Sequence, residues 1–583
     1  MLFRSKAATT PVSQPSSPAN QNAGNAAPFE QVIKGAERQD GLIPVWRKQD
    51  KVWLELSPSM LGKPLFMSPK IASGIGEAGL FGGLMQSRSA SVGRPQWVEF
   101  RKSFQLVQLV AVNSQYTAQQ GTPTARAVEA AFSSSLLAST AVASAPHTKT
   151  GAVLVEANGL LMGDILGLSP QLQRAYRQSY ALDARNTTIQ KASSDENALV
   201  LEVNQHFATG SVSQAAPVSG GIGGLLLGAS PTVPSSVPDP RSFFIQVHYS
   251  FTPLPSQQLP RRVSDARVGF FTSSVVDFTN DLVRNPRQRF INRWRLEKKD
   301  PKAALSAPIK PIVFWLDPSI PEGYRATIAE CVLEWNKAFE AIGFQDAIEV
   351  KQAPADNKFD TLETGHASIR WMTNSQPMFG AIGPSHVDPR SGEILDADIA
   401  LESLSSRAIR AAKVQYFSHS PESCEQPEYG AEQLGLGLDI LTHGGPIDPD
   451  SPEVRAFVLA YLKDTTMHEV GHALGLRHNF KASRWHTAEE LAHPLLGKEQ
   501  GNSASVMDYA PINLPQPGQP MAAPFQTTLG PYDYWAIEYG YKPLSEDSQV
   551  AQAELQQIAA RSSDPKWQDK LAYGTDEIGR AHV

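Results

Sequence analysis

Cysteine is almost missing from this chain. Two in 583 residues, Cys331 and Cys424, exclude a disulfide scaffold, and one bridge or two free thiols are equally open, so cysteine usage does not decide the redox compartment. No apolar run reaches the roughly 18–20 residues that span a bilayer, which excludes a transmembrane helix. Positive charge is not in excess either: 52 Lys and Arg stand against 58 Asp and Glu, a formal net charge of -6. That balance argues against a polyanion-binding surface, and so against nucleic acid as a partner. What is present, 41% hydrophobic and 19% charged residues, fits globular protein with length enough for three or four domains.

One stretch carries most of the functional information: His468-Glu-Val-Gly-His-Ala-Leu-Gly-Leu-Arg-His478, the spacing HExxHxxGxxH. On a helix, positions i and i+4 lie one turn apart on the same face, so His468 and His472 can offer ring nitrogens to one metal ion. Glu469 sits about 100° round the helix, where a carboxylate can reach a metal-bound water without displacing it, as a general base must. On a continuing helix His478 would point about 240° away from His472, so the helix has to end first if His478 is to be the third ligand. Gly475 supplies the break, since glycine enters the left-handed conformation at no steric cost. The competing reading is five ordinary helix residues, a coincidence expected on the order of once in 10⁴ such chains. The stretch therefore reads as a catalytic Zn²⁺ site with His468, His472 and His478 as ligands and Glu469 as base.

Further along stands Ser505-Val-Met-Asp-Tyr509. The long histidine motif followed by S-x-M-x-Y resembles the metzincin zinc proteases, whose Met-turn packs a methionine beneath the metal. The resemblance assigns that place to Met507. It makes Tyr509, whose competing reading is a packed core tyrosine, a second catalytic residue able to help stabilise the tetrahedral intermediate. Pro311-Ile-Val-Phe-Trp-Leu-Asp-Pro-Ser-Ile-Pro321, Gly383-Pro-Ser-His-Val-Asp-Pro-Arg-Ser-Gly-Glu-Ile394, Arg477-His-Asn-Phe480 and Gly530-Pro-Tyr-Asp-Tyr-Trp535 are similar to the large bacterial zinc-dependent metalloproteases whose catalytic part resembles the toxin subunit EcxA. Through Val32-Ile-Lys-Gly35 and Asp50-Lys-Val-Trp-Leu-Glu-Leu56 the similarity reaches most of the chain. It implies a protein or peptide substrate, a secreted, periplasmic or cell-envelope location, and N-terminal domains whose role is unassigned.

Both ends look foreign. Leu2-Phe-Arg-Ser5 and Ile578-Gly-Arg-Ala-His-Val583 match the translation of a short-read sequencing adapter (CTC TTC CGA TCT and ATC GGA AGA GCA CAC GTC). The expectation is a metagenomic fragment cut at both ends, with the adapter left out of fold reasoning. Different codons in the nucleotide record would exclude it.

Between those ends, residues 1–29 read as adapter followed by an Ala/Ser/Pro/Asn/Gln-rich disordered lead-in. Residues 30–207 form a β-rich region, possible as two small domains, with short runs such as Val52 to Leu56, Phe104 to Val112, Gly151 to Glu156 and Ala198 to Phe207. Residues 208–241, with Gly220-Gly-Ile-Gly-Gly-Leu-Leu-Leu-Gly228, read as linker or long loop. Residues 242–309 read as a connecting β/α segment in which Phe243, Ile245, Val247, Tyr249 and Phe251 share one strand face and His248 falls on the other, expected solvated. Residues 310–540 are the expected protease domain. Its strands are Ile312 to Leu316, Ala347 to Lys351, Ala367 to Met372 and Ile394 to Leu401, with a helix over Pro321 to Ile342 stopped by Gly343. The active-site helix should start with Ser451 as N-cap and Pro452 first, and Phe457 to Leu462 should be buried. Residues 541–583 read as the start of a truncated helical region. The whole is α+β, with a metzincin-like mixed sheet behind the β-rich region.

Three other features carry little. Gly74-Ile-Gly-Glu-Ala-Gly79 matches GxGxxG without the βαβ frame, so it reads as a turn. His386 reads as a surface histidine or one behind the site, and the basic run Arg289 to Lys302 as a solvated helix end or linker. The functional expectation is a zinc endopeptidase. The alternatives are a zinc hydrolase of a non-protein amide or ester, or an inactive binding protein. Nothing in the sequence fixes the oligomeric state.

Overall fold

The computed structural model describes residues 26–87, 90–212, 231–354, 359–376, 378–403, 451–514 and 522–575. The adapter-like ends, the Gly220–Gly228 run and Cys424 lie outside the described residues.

Apolar alternation builds the N-terminal half. Strands β1 (Leu65–Ser73), β2 (Gln96–Ser103), β3 (Leu106–Ala111), β4 (Ser135–Ala141), β5 (Leu199–Ala208) and β6 (Ser242–Pro253) pair antiparallel in the spatial order β5, β6, β1, β2, β3, β4. A smaller antiparallel sheet joins Glu37–Gln39, Val45–Lys48, Lys51–Leu56 and Val153–Glu156. One face of β6 puts Phe243, Ile245, Val247, Tyr249 and Phe251 into a single core with Leu201, Val203 and Phe207 of β5 and Leu65, Met67 and Ile71 of β1. Each such side chain stabilises the sheet by about 1.5–3 kcal/mol through burial.

In the C-terminal half the hairpin β7 (Thr272–Asp277) and β8 (Arg287–Ile291) precedes β9 (Ile312–Leu316), α1 (Glu322–Glu334), β10 (Ile348–Gln352), β11 (Ser368–Met372), β12 (Ser385–Val387) and β13 (Ile394–Glu402). Then come α2 (Pro452–Ala473) and α3 (Pro531–Tyr541). Strands β10, β9, β11 and β13 lie side by side and parallel, and Ala381–Ile382 and β12 add an antiparallel edge on β13. After α1 the chain makes one more short helix, Asn336–Glu340, and then turns at Gly343 with φ +90. Between them Trp335, fully buried, donates its indole N–H to Met467 O at 3.1 Å and so fastens this helical pair to α2. Ser451 Oγ accepts from Val454 N at 3.2 Å, with Pro452 as the first residue of α2.

The two halves meet through polar side chains that are nonetheless buried. Lys70 of β1 reaches Asp396 Oδ2 at 2.7 Å and Asp398 Oδ2 at 2.6 Å on β13, all three groups out of solvent. Burial pulls the Lys70 ammonium down, but the two carboxylates outweigh it and hold it charged. Ser68 Oγ lies 2.8 Å from His386 Nδ1, and His386 Nε2 lies 2.7 Å from Gln86 O. The carbonyl fixes the tautomer: Nε2–H donates to Gln86, so Nδ1 accepts from Ser68.

This contact corrects three expectations. His248 is buried rather than solvated, because the C-terminal half covers the second face of β6 around His248 and Ser250; strand alternation tells which face a residue takes, not whether that face meets water. His386 is buried between the halves rather than on the surface. Arg289 lies within β8, and the run beyond it is no helix end: Arg293 is buried and donates from Nη2 to Pro260 O at 3.1 Å, and Arg295 forks onto Glu393 with both contacts at 2.8 Å. Along Phe457 to Leu462 only Phe457, Tyr461 and Leu462 are buried, and the remaining three are half-buried. Gly74–Gly79 is a turn, with Ile75 N donating to Leu80 O at 2.9 Å and positive φ at Gly76 and Gly79. Cys331 is buried on α1, its Sγ 2.9 Å from Thr327 O.

Candidate metal centre

Helix α2 ends where the third histidine needs it to. Gly475 has φ +100, its N–H bonds His472 O at 2.9 Å, and Leu476 N bonds Gly471 O at 2.9 Å. This is a complete Schellman cap with glycine in the left-handed position. It turns the chain back so that His478 faces the rings on α2. A Cβ on Gly475 would strike the carbonyl of Asn292, so this position requires glycine twice over.

The three imidazoles converge. His468 Nε2 is 3.1 Å from His472 Nε2, which is 3.0 Å from His478 Nε2. His468 Nδ1 lies 2.7 Å from Val506 O and His472 Nδ1 2.8 Å from Leu476 O. Both Nδ1 atoms must carry the hydrogen, since a carbonyl can only accept, so both rings present bare Nε2 lone pairs to each other. Burial first, then the neighbouring His472 and His478, hold the His468 ring well below the ordinary histidine range, and it stays neutral. Lone pairs at this separation repel unless a cation lies between them. Tetrahedral nitrogen ligands about 2.0–2.1 Å from zinc stand about 3.3 Å apart, close to the spacing found. The donor set fits zinc.

Around this triangle the packing is tight. A Cβ on Gly471 would meet Met507 Sδ and lie 3.0 Å from Trp335 Cζ2, so Gly471 is what lets Met507 and Trp335 press against α2 beside the rings. A Cβ on Gly383, between Ala381–Ile382 and β12, would lie 3.2 Å from Glu469 Oε2. The sheet edge thus runs against the buried Glu469. Tyr509 Oη is 3.1 Å from His478 Nε2, and its ring rests on Phe480 at 4.9 Å. Every residue singled out in the sequence for this site, His468, Glu469, His472, His478, Met507 and Tyr509, gathers at one end of α2.

Residues 450–582 match the Met-zincin family model. The match supports a metzincin-type domain at the C-terminal end, and with the three-histidine group it suggests a zinc metallopeptidase. Two further models match upstream, each a domain of unknown function: DUF5117 over residues 90–299 and DUF5118 over residues 26–74. No curated protein and no solved structure matches the chain. No described helix is long and apolar enough to cross a membrane.

Two residues of the metzincin-type centre escaped sequence reasoning. Asp533, buried in the first turn of α3, accepts from Ser505 Oγ at 2.6 Å, Val506 N at 3.0 Å and Gly530 N at 2.8 Å. Burial pushes its carboxyl up to about 7 despite those donors. It fixes the backbone N–H of Val506, the residue whose carbonyl holds His468. An acid three residues after a helix N-cap is a sequence signal, but it indicates only the bond to Gly530. Phe271 stands 5.6 Å from the His472 ring, brought there by Phe271 N donating to Gly475 O at 2.8 Å. No local pattern marks it.

Proposed function

We propose that this chain is a zinc-dependent endopeptidase in which His468, His472 and His478 hold the metal, Glu469 is the general base and Tyr509 stabilises the oxyanion. The observation that carries the proposal is the pair of carbonyl-locked imidazoles aiming unprotonated Nε2 atoms at one point beside a third. His468, His472 and His478 would hold zinc there, and its Lewis acidity would serve to lower the pKa of a water to about 7 and polarise the scissile carbonyl. Glu469 takes the proton from that water and returns it to the leaving amine. Tyr509 donates a hydrogen bond from its hydroxyl to the carbonyl oxygen as negative charge grows on it. The edge formed by Ala381–Ile382 and β12 offers backbone groups beside Glu469, which suits an extended peptide added as a further strand. The likeness to EcxA-like bacterial proteases supports an exported enzyme acting on protein.

The test is Glu469→Gln. Zinc content should stay at the wild-type level while turnover of an unstructured protein substrate falls by about 10²–10⁴; turnover within tenfold of wild type would exclude Glu469 as the base. His478→Ala should lower zinc affinity as well as activity, and unchanged zinc content would remove it from the ligand set. Wild-type digests of a peptide library, with a chelator control, separate a peptidase from a hydrolase of non-protein amides or esters.

A further inference from the structure

We propose that Glu202, His248 and Asp360 bind a second divalent cation, of the zinc or manganese class, that staples the N-terminal sheet to the C-terminal half. The three donors come from β5, from β6 and from the turn between β10 and β11, and their ligand atoms lie within 4.8 Å of one another. The site is separate from the histidine triangle and does not depend on the peptidase reading.

His248 is the decisive residue. It is fully buried, and among the described residues neither ring nitrogen has a hydrogen-bond partner. A buried imidazole left in that state is costly, so such groups call for an explanation. Its Nδ1 is 3.6 Å from Glu202 Oε1 and 3.9 Å from Asp360 Oδ2, too far for hydrogen bonds. Those are the spacings of ligands sharing one ion: donors 2.0–2.2 Å from a metal and 110–130° apart are separated by roughly 3.3–4.0 Å. The carboxylates are already oriented. Gln246 Nε2 holds Glu202 Oε2 at 2.8 Å, so that Oε1 is the oxygen turned to His248, and Leu362 N holds Asp360 Oδ1 at 2.8 Å, so that Oδ2 is.

Charge points the same way. Lys191 Nζ donates to Asp360 Oδ2 at 3.1 Å and lies 3.6 Å from Glu202 Oε1, the same two oxygens that face His248, and 3.6 Å from Glu363 Oε1, but one ammonium faces three carboxylates. Lys191 is the more exposed member, with its side chain 31% accessible, and it comes from the rim of the sheet, whereas His248 lies at the dry end of the cluster. A divalent ion on the His248 side would balance the two negative charges that remain. One imidazole with two carboxylates suits zinc or manganese better than calcium, which takes an all-oxygen shell.

The experiment uses the full chain, stripped with chelator and reloaded with zinc alone or manganese alone, with metal counted per chain after desalting. The wild type should hold two ions. His468→Ala/His472→Ala should hold one and show a melting temperature that rises on adding metal. Adding His248→Gln to that double variant should abolish both the ion and the rise. Asp360→Asn, on a half-buried loop and keeping an acceptor oxygen for Leu362 N, should weaken binding at least tenfold in the same background. The proposal is overturned if His468→Ala/His472→Ala takes up neither metal, or if its ion is unaffected by His248→Gln and Asp360→Asn. A wild type that holds one ion, lost with His248→Gln, would instead sink the histidine triangle and keep this site.

Discussion

Replacing Asp533 by alanine tests whether a carboxylate that touches no ligand sets the quality of the metal centre. In the wild type it accepts from Ser505 Oγ, Val506 N and Gly530 N at 2.6, 3.0 and 2.8 Å. Alanine leaves two buried amides without an acceptor, about 1–3 kcal/mol each, while the serine hydroxyl can turn elsewhere. Some of that is offset, because a carboxyl pushed up to about 7 is itself an unfavourable charge to bury. The net loss should be about 2–4 kcal/mol in denaturant unfolding of the zinc-loaded chain. Because Val506, held at its N–H by Asp533, carries the carbonyl that orients His468, zinc affinity should also fall about 10–100-fold, as for partners that orient metal ligands elsewhere. Asp533→Asn keeps one acceptor oxygen and should lie between. The pH dependence has a definite sign. A folded-state carboxyl at about 7, above its ordinary 3.8, binds its proton more tightly when folded, so this group contributes stability below about pH 4 that is lost as pH rises to about 7. Asp533→Asn should lack that slope. Alanine at 533 with wild-type zinc affinity, measured by competition with a chromophoric chelator, would refute the chain of contacts from Asp533 through Val506 to His468.

Other outcomes follow from single contacts. Tyr509→Phe should keep zinc and lower kcat by about 10–10³ with little change in KM; a loss confined to KM would assign Tyr509 to substrate binding. Lys70→Met leaves Asp396 and Asp398 buried without their cation and should cost about 3–5 kcal/mol in unfolding experiments, whereas a change under about 1 kcal/mol would mean that the junction admits water. Gly475→Ala must place a side chain at φ +100 against the Asn292 carbonyl; the displaced turn should loosen His478 and weaken zinc binding at least tenfold, and intact affinity would show that the cap can shift without moving the ring.

Much of the site was legible because it is local. His468, Glu469, His472, Gly475 and His478 lie in eleven consecutive residues, and the helix period and the glycine cap determine how they can face one another. The same holds for Ser451 and Pro452 at the start of α2, and for the strands β9, β10, β11 and β13, whose apolar runs mark them individually. Contacts across the chain were not legible. Asp533 stood in the Gly530–Trp535 segment with no role of its own, Phe271 carried no signal, His248 read as solvated, and His386 as a surface histidine or one behind the site.

By itself the sequence determined where strands and helices form, which strand faces are apolar, and that one turn of chain carries a metal-binding histidine pattern, since each depends on residues a few positions apart. Only the tertiary structure decided that His248 and Ser250, on the polar face of β6, are out of water. Lys70 finds Asp396 and Asp398 from more than three hundred positions away, and His248 comes to face Glu202 and Asp360, because docking one sheet on another removes water from residues whose neighbours in sequence give no sign of it.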